Sequence, residues 1–243
     1  GFHKYTYTDP DQPKIIIDLH HRDQVIESYI KKISNTEIEG FRRSKAWAAD
    51  QYVYFVARFS EPFNEIQILK NDSVLHEADF SEGSNIKSCI KFDNHDEILV
   101  KIGISAVSAE GARENLDKEI PGWNFEAVRT KAKNVWNKAL QKIKVTGGTE
   151  EQKIIFYSAL YHSMLAPDLY SDVDGKYRGT DLQVHTANNY NHYTVFSLWD
   201  TYRATHPLFT IIERDRTRDF LQTFLSQYEH GGQLPVWELA ANY

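Results

Sequence analysis

The hydrophobic period of this chain changes once, near Val107, and that change limits the fold more than any other feature. Before it, apolar side chains alternate with a period of two. After it, they recur at steps of three and four. Strand and helix spacings cannot share one layer, so runs of strands followed by runs of helices predict two regions packed together. In 50–60, DQYVYFVARFS, Tyr52, Tyr54 and Val56 alternate with Val53, Phe55 and Ala57. Both faces are apolar, as in a strand buried between two layers. In 97–107, EILVKIGISAV, Ile98, Val100, Ile102 and Ile104 share one face, and Lys101, Gly103 and Ser105 the other. The opening GFHKYTYT, residues 14–19 and residues 64–70 read as further strands. Turn signals fall between them at Asp9-Pro10, Glu61-Pro62, Asn71-Asp72, Gly83-Ser84 and Asp93-Asn94. Short strands at near-regular spacing predict an antiparallel sandwich.

The second region opens with a helix expected from Phe125 to Val145. Phe125, Val128, Ala132, Val135, Trp136, Ala139, Leu140 and Ile143 form one face, with Asn124 as N-cap. Its other side is polar, so it suits a linker packing on both regions. Gly147-Gly148 ends it. Thr149 and Gln152 form a capping box for the next helix, which Pro167 stops. Residues 168–193 show little periodicity, and an irregular stretch of that length between helices is expected to have a task. A last helix is expected from Thr217 to Tyr228, with Phe220, Leu221, Phe224, Leu225 and Tyr228 inward. Asp215 is its candidate cap and Gly231-Gly232 its stop.

Composition narrows the partners. The formal net charge is −6 with no basic cluster, which argues against nucleic acid. No apolar run approaches the roughly 20 residues that span a bilayer. A single cysteine, Cys89, excludes an intrachain disulfide. Aromatic residues make up 13% of the chain, enough for a large packed core or for a sugar-binding surface. The absence of an initiating Met and the abrupt end suggest an internal piece of a longer protein.

Two stretches combine a tryptophan with an acid at a loop-to-helix junction. In TVFSLWDTYRATHPLFTII (194–212), Ser197 and Asp200 have capping-box spacing, which accounts for both by local structure. The same geometry would let Asp200 accept sugar hydroxyls while Trp199 packs on the ring. GGQLPVWEL (231–239) repeats the combination with Trp237-Glu238, although singly these read as a core residue and a solvated acid. Asp172, Asp174 and Gly175 match the start of a calcium loop in composition only. The downstream bidentate Glu is missing, and a tight Asp-Gly turn is the better reading. His162 and His206 are expected to be packed or hydrogen-bonded histidines.

The segment from IPGWNFEAV through DGKYRG, then YTVFSLWDTYRATHPLFTII, then GGQLPVWELAANY resembles glycoside hydrolase family 92, the calcium-dependent exo-α-mannosidases, over most of residues 100–243. The opening GFHKYTY and the β half resemble the middle and end of that family's N-terminal sandwich more loosely. The resemblance implies a mixed, multidomain fold: an antiparallel β-sandwich (1–107), a linker helix (108–146) and the first part of an (α/α)6 helical barrel (147–243). It implies hydrolysis of terminal α-linked mannose, α-1,2 foremost, on N-glycans, with inversion and Ca2+ assistance, in a bacterial periplasmic or secreted protein. Its partners would be a mannose-containing glycan and the rest of the same polypeptide, without which a barrel lacking more than half its helices is expected to be inactive. The acid, the base and most metal ligands are expected after Tyr243, so no catalytic residue or metal ligand is assigned. By the resemblance, Trp199, Asp200, Trp237 and Glu238 line the terminal-mannose pocket, and Tyr202 and Arg203 support them. ELAANY departs from the family's usual Gly then Asn-Glu, at Ala241 and Tyr243. Two alternatives stay open: another (α/α)6 glycosidase of trehalase or glucoamylase type, and a catalytically inactive carbohydrate-binding protein.

Overall fold

Antiparallel pairing organises everything up to Ser105. The computed structural model describes residues 1–9, 11 and 13–240. The strands are β1 (Phe2–Thr6), β2 (Lys14–Asp18), β3 (Gln24–Lys32), β4 (Glu37–Lys45), β5 (Gln51–Phe59), β6 (Phe63–Lys70), β7 (Ser73–Leu75), β8 (Phe80–Gly83), β9 (Ile86–Phe92) and β10 (Glu97–Ser105). Six pair in the order β1-β10-β5-β4-β3-β8, and four in the order β2-β9-β6-β7. The two sheets enclose one core, in which Ile30, Ile38, Ile68, Ile86, Ile90 and Ile98 are fully buried beside Phe55, Phe59, Phe63 and Phe92. Each such side chain contributes about 1.5–3 kcal/mol of transfer free energy. Asn71 and Asp72 take positive φ between β6 and β7, the geometry that a two-residue hairpin turn demands. The Asp9-Pro10 turn includes a residue outside the described ones.

Strand β5 is apolar on both sides for the expected reason. Phe55, Ala57 and Phe59 enter the core, and Val56 lies under a helix. That helix, α1 (Ala109–Glu119), lies in the expected linker region 108–146, but the apolar periodicity starts a helix only at Phe125 and does not show this one. Its buried stripe is only Ala109, Ala112 and Leu116, too small to stand out as an amphipathic face. Ser108 caps it, accepting from the Gly111 N–H at 3.0 Å. Gly103 lets it lie close, since a Cβ there would fall 2.1 Å from the Ala112 carbonyl oxygen. Arg113 ties it to Glu37 and Glu39 of β4 at 3.0 and 2.8 Å. The expected faces of β10 need two corrections. Lys101 is buried, its Nζ donating to the Ile120 carbonyl at 3.0 Å over the Trp123 ring. Ile104 is exposed, lining a cleft rather than the core.

Helix α2 (Phe125–Leu140) is shorter than expected and buries no residue fully. Asn124 caps it as expected. Phe125 and Val128 pack toward the sandwich, while Trp136, Ala139 and Leu140 pack toward the later helices. Ala132 and Val135, between these contacts, are exposed. Helix α3 (Glu150–Ser163) starts on the expected capping box: Gln152 N–H donates to Thr149 Oγ1 at 3.2 Å, and Thr149 N–H donates to Gln152 Oε1 at 2.9 Å. His162 is exposed, contrary to expectation, whereas His206 packs among Phe196, Phe220 and Phe224.

The irregular stretch contains short paired strands: β11 (Asp168–Leu169) with β14 (Tyr193–Thr194), and β12 (Lys176–Arg178) with β13 (Val184–Thr186). Next come β15 (Phe196–Ser197), α4 (Leu198–Thr201), α5 (Thr205–Ile212), α6 (Arg214–Gly231) and β16 (Trp237–Glu238), with β15 and β16 paired. Helix α6 differs from expectation in its cap and its buried face. Glu213, not Asp215, stands at its N-cap, and its carboxylate pairs with Lys142 at 2.6 Å instead of capping. Phe220 is buried and Phe224 half-buried, but Leu221, Leu225 and Tyr228 are exposed, and Asp219, Thr223, Ser226 and Gln227 take the buried positions. Gly232 stops the helix in the left-handed region at φ 77°, as expected. Among the described residues no helix is long and apolar enough to cross a membrane.

Candidate functional site

Strand pairing brings together the two tryptophan-acid stretches. In β15 and β16, Ser197 faces Trp237 and Phe196 faces Glu238. Trp199, two residues past Ser197, therefore stacks beside Trp237, with ring centroids 5.8 Å apart and planes 28° apart. A third indole, which the sequence did not single out, comes from the sandwich. Trp47, between β4 and β5, meets Trp237 edge-on at 4.8 Å. Its loop is braced at the base by Arg43, whose Nε and Nη2 donate to the two carboxylate oxygens of Asp50, each at 2.6 Å. Trp47 is 75% exposed and Trp199 58% exposed. Two large indoles left this bare beside a half-buried third form an apolar patch of the kind that marks a binding surface. The signal for Trp47 was a tryptophan at a strand-to-strand connection, where burial cannot explain it.

Asp200 is exposed beside this platform. The capping-box expectation fails here: Ser197 stands at the N-cap of a helix of only four residues, and its side chain caps no backbone N–H. Its hydroxyl donates to Asp200 Oδ2 at 2.7 Å and accepts from Trp199 Nε1 at 3.0 Å. Tyr202 and Arg203 pair with each other, the guanidinium 5.6 Å from the ring centroid. Among the described residues, neither side chain bonds Trp199 or Asp200, so the structure gives no support to their expected bracing role.

Glu238 also differs from a residue that grips ligand. It is 3% exposed, and protein donors occupy its carboxylate. Thr194 Oγ1 and the Ala240 N–H reach Oε1 at 2.6 and 2.7 Å, and the Val195 N–H reaches Oε2 at 3.0 Å. Burial still pushes its pKa up to about 7 against these bonds. Glu238 fastens the loop before β15 to the end of β16, and so sets where Trp237 stands. Ala241 and Tyr243 lie outside the described residues.

The Asp-Gly turn forms as expected. Gly175, at φ 87°, donates its N–H to the Asp172 carbonyl at 2.8 Å. Its carboxylates are engaged elsewhere. Asp174 holds Lys176 at 2.6 Å. Asp172, buried, takes Ser105 Oγ at 2.6 Å and Asn115 Nδ2 at 2.7 Å. Arg178 adds a clamp, donating to the Ala106 and Leu182 carbonyls at 2.8 and 2.7 Å over the Tyr52 ring. The bonds to Ser105, Ala106 and Asn115 dock the 168–194 region on β10 and α1, beside a cleft of about 610 Å³ lined by Tyr52, Asp168, Tyr170 and Thr194. Sequence reasoning also missed a ring stack behind it: Tyr177 on His192 at 3.7 Å, and His185 on His230 at 3.6 Å. Burial, then the two other histidines, holds His192 at a pKa of about 3. Among the described residues no three His, Cys, Asp or Glu side chains gather to hold a metal, so a calcium ligand set is not found in them.

Residues 111–243 match the glycosyl hydrolase family 92 catalytic domain, and residues 1–105 match that family's N-terminal domain. The chain belongs to glycosyl hydrolase family 92. Its fold superposes on that of the family GH92 α-mannosidase BT3965 from Bacteroides thetaiotaomicron, with 33% identity, a TM-score of 0.93, and coverage of 98% of this chain and 34% of that one. The inverting mannosidase BT2199 from the same organism gives 25% identity and a TM-score of 0.89, covering 100% of this chain and 33% of that one. A secreted glycosidase of Arthroderma benhamiae is 36% identical over 78 residues, which are 30% of this chain and 10% of that protein. This family-92 chain thus spans about a third of the solved relatives' length. The shared fold is an antiparallel sandwich, as the strand pattern predicts, followed by the opening helices of a helical barrel, as the resemblance to family 92 implies.

Proposed function

We propose that this chain is the sandwich and first barrel helices of an exported exo-acting α-mannosidase. The full protein would remove terminal α-linked mannose from N-glycan mannans, α-1,2 linkages foremost. The observation that carries this reading is the tryptophan platform with Asp200 at its edge. Indole faces pack against the C–H face of a pyranose, and a carboxylate accepts hydroxyl protons at the same ring. Membership of family 92 supports the sugar class. BT3965, an α-mannosidase, has been solved with mannoimidazole bound. The secreted glycosidase of A. benhamiae supports export.

In this proposal Trp199, Asp200 and Trp237 bind the terminal sugar, Trp47 packs on the sugar that follows, and Glu238 positions the platform. Inversion requires an acid and a base roughly 6.5–9.5 Å apart with a water between base and anomeric carbon. In this proposal both belong to the remaining polypeptide, as do most ligands of the proposed calcium. The test is release of mannose by the full-length protein from a panel of α-mannosides and α-glucosides, with and without EDTA. NMR of the first-formed anomer reports the stereochemistry. The expected result is β-mannose from mannosides only, abolished by EDTA and restored by Ca2+. Preferential cleavage of glucosides would overturn the substrate class. Binding without turnover would make the protein a carbohydrate-binding one.

A further inference from the structure

We infer that Ser197 is the positioning residue of this site: one hydroxyl sets Trp199 and Asp200 together. The inference rests on the sugar-binding reading above and gives it a mechanism of preorganisation.

The backbone of Ser197 is held on two sides. It lies opposite Trp237 in the β15–β16 pair, and its carbonyl accepts from Thr201 Oγ1 at 3.0 Å. The next residue continues the pairing, with the Leu198 N–H donating to the Val236 carbonyl at 2.8 Å. A hydroxyl on such an anchor has little freedom. It has one proton to donate and two lone pairs to accept with. The proton goes to Asp200 Oδ2 at 2.7 Å, and one lone pair takes the Trp199 indole N–H at 3.0 Å.

Two consequences define the ligand. The indole N–H is consumed, so Trp199 offers only its ring face. Asp200 Oδ2 is engaged, while Oδ1 has no hydrogen-bond partner among the described residues. The pair therefore presents one flat apolar surface and one acceptor oxygen at a fixed offset. That pattern suits a pyranose whose C–H face lies on the indole and whose hydroxyl donates to Oδ1. The local alternative, that Ser197 only caps a helix, has no bond to rest on, because its side chain reaches no backbone N–H at the N-cap.

The experiment uses the full-length protein and compares the wild type with Ser197→Ala, Ser197→Thr, Asp200→Ala and the Ser197→Ala/Asp200→Ala double variant. Steady-state kinetics on a terminal α-mannoside are measured alongside melting temperature. Ser197→Ala is expected to lower kcat/KM by about tenfold, the loss that one hydrogen bond to a charged group carries. The melting temperature should stay within a few degrees, and Thr, which keeps the hydroxyl, should restore activity to within about threefold. In the Asp200→Ala background the serine change should cost less than about twofold, because the group it positions is gone. Full additivity of the two losses, or a Ser197→Ala variant within twofold of wild type, overturns the inference. A wild type that releases no mannose would refute the proposed substrate and not the relay. The relay is then read from indole N–H resonances of 15N-tryptophan-labelled protein. The signal that Trp199→Phe removes must shift upfield in Ser197→Ala and return in Ser197→Thr, and an unmoved signal overturns it.

Discussion

Glu238 offers the sharpest test of the site's electrostatics. Its side chain is 3% exposed, and three protein donors reach its carboxylate, yet burial raises its pKa from 4.5 to about 7. The sign follows from proton counting. Between those two values the folded protein holds a proton on Glu238 and the unfolded chain does not. Stability from this group is therefore fully present below pH 4.5 and is lost as pH rises to about 7. Each pH unit in that window costs about 1.4 kcal/mol, so the whole transition amounts to about 3 kcal/mol. Glu238→Gln removes the titration and keeps the shape. Its Oε1 can still accept from Thr194 and Ala240, but its amide then faces the Val195 N–H, donor against donor. One unmet buried N–H costs about 1–3 kcal/mol at every pH. Wild type should thus be the more stable protein at pH 5, with its advantage shrinking or inverting by pH 8. Urea unfolding of both full-length proteins across this range measures the difference, followed by tryptophan fluorescence, to which the neighbouring Trp237 contributes. A difference that is flat with pH would refute the reasoning. An advantage that grows with pH would show that the three donors outweigh burial and that the ionised form is the favoured one.

Three further outcomes follow from the packing. Asp172→Ala strips the bonds to Ser105 and Asn115 and should cost about 2–3 kcal/mol, seen in denaturant unfolding and in faster proteolysis between the sandwich and the 168–194 region. Trp47→Ala removes a mostly exposed indole, so stability should move by no more than about 0.5 kcal/mol while KM for a mannobioside rises. Gly103→Ala would drive a Cβ to 2.1 Å from the Ala112 carbonyl, and the clash should cost about 3 kcal/mol by forcing α1 off the sheet, measured as a drop in melting temperature.

What the sequence made legible depended on how each residue earns its place. The core strands were readable because Phe55, Ala57 and Phe59 are buried by alternation alone. Thr149 and Gln152 were readable because a capping box is local, and both of its bonds formed. Helix α1 was not, since its fit to the sheet depends on Gly103 and on two alanines rather than on a strong apolar stripe. Trp199 and Trp237 could be named as candidates. Their stacking, and the arrival of Trp47, depend on pairing across long sequence separations that no local pattern encodes. Ser197 and Asp200 had the right spacing for a cap, but that spacing also permits a direct side-chain bond, and α4 is too short to make the cap prevail.

Helix α6 shows why the site lies where the periodicity argument fails. Asp219, Thr223, Ser226 and Gln227 fall on one stripe, and that polar stripe is buried. The 180–194 stretch lies on it. Asn191 Nδ2 donates to Asp219 Oδ2 at 2.9 Å, the Tyr193 N–H donates to Thr223 Oγ1 at 3.2 Å, and Ser226 Oγ meets His192 Nδ1 at 3.3 Å. A long segment with little regular structure must find partners for its polar groups or lose free energy on burial. Here a helix face supplies them, so polar residues occupy positions where an amphipathic reading expects leucine. The segment so fastened leads directly into Thr194 and Val195, which bond Glu238, and then into Ser197, which bonds Trp199 and Asp200. Side-chain order thus passes from the polar stripe of α6 to the platform through hydrogen bonds. Disrupting the stripe with Thr223→Val, nearly equal in volume but without the hydroxyl, should loosen the platform while leaving the sandwich core untouched. Hydrogen exchange would then rise at 193–199 and stay unchanged in β4, β5 and β10. Unchanged exchange at 193–199 would mean that the platform is held by its own local bonds and owes nothing to the helix beneath it.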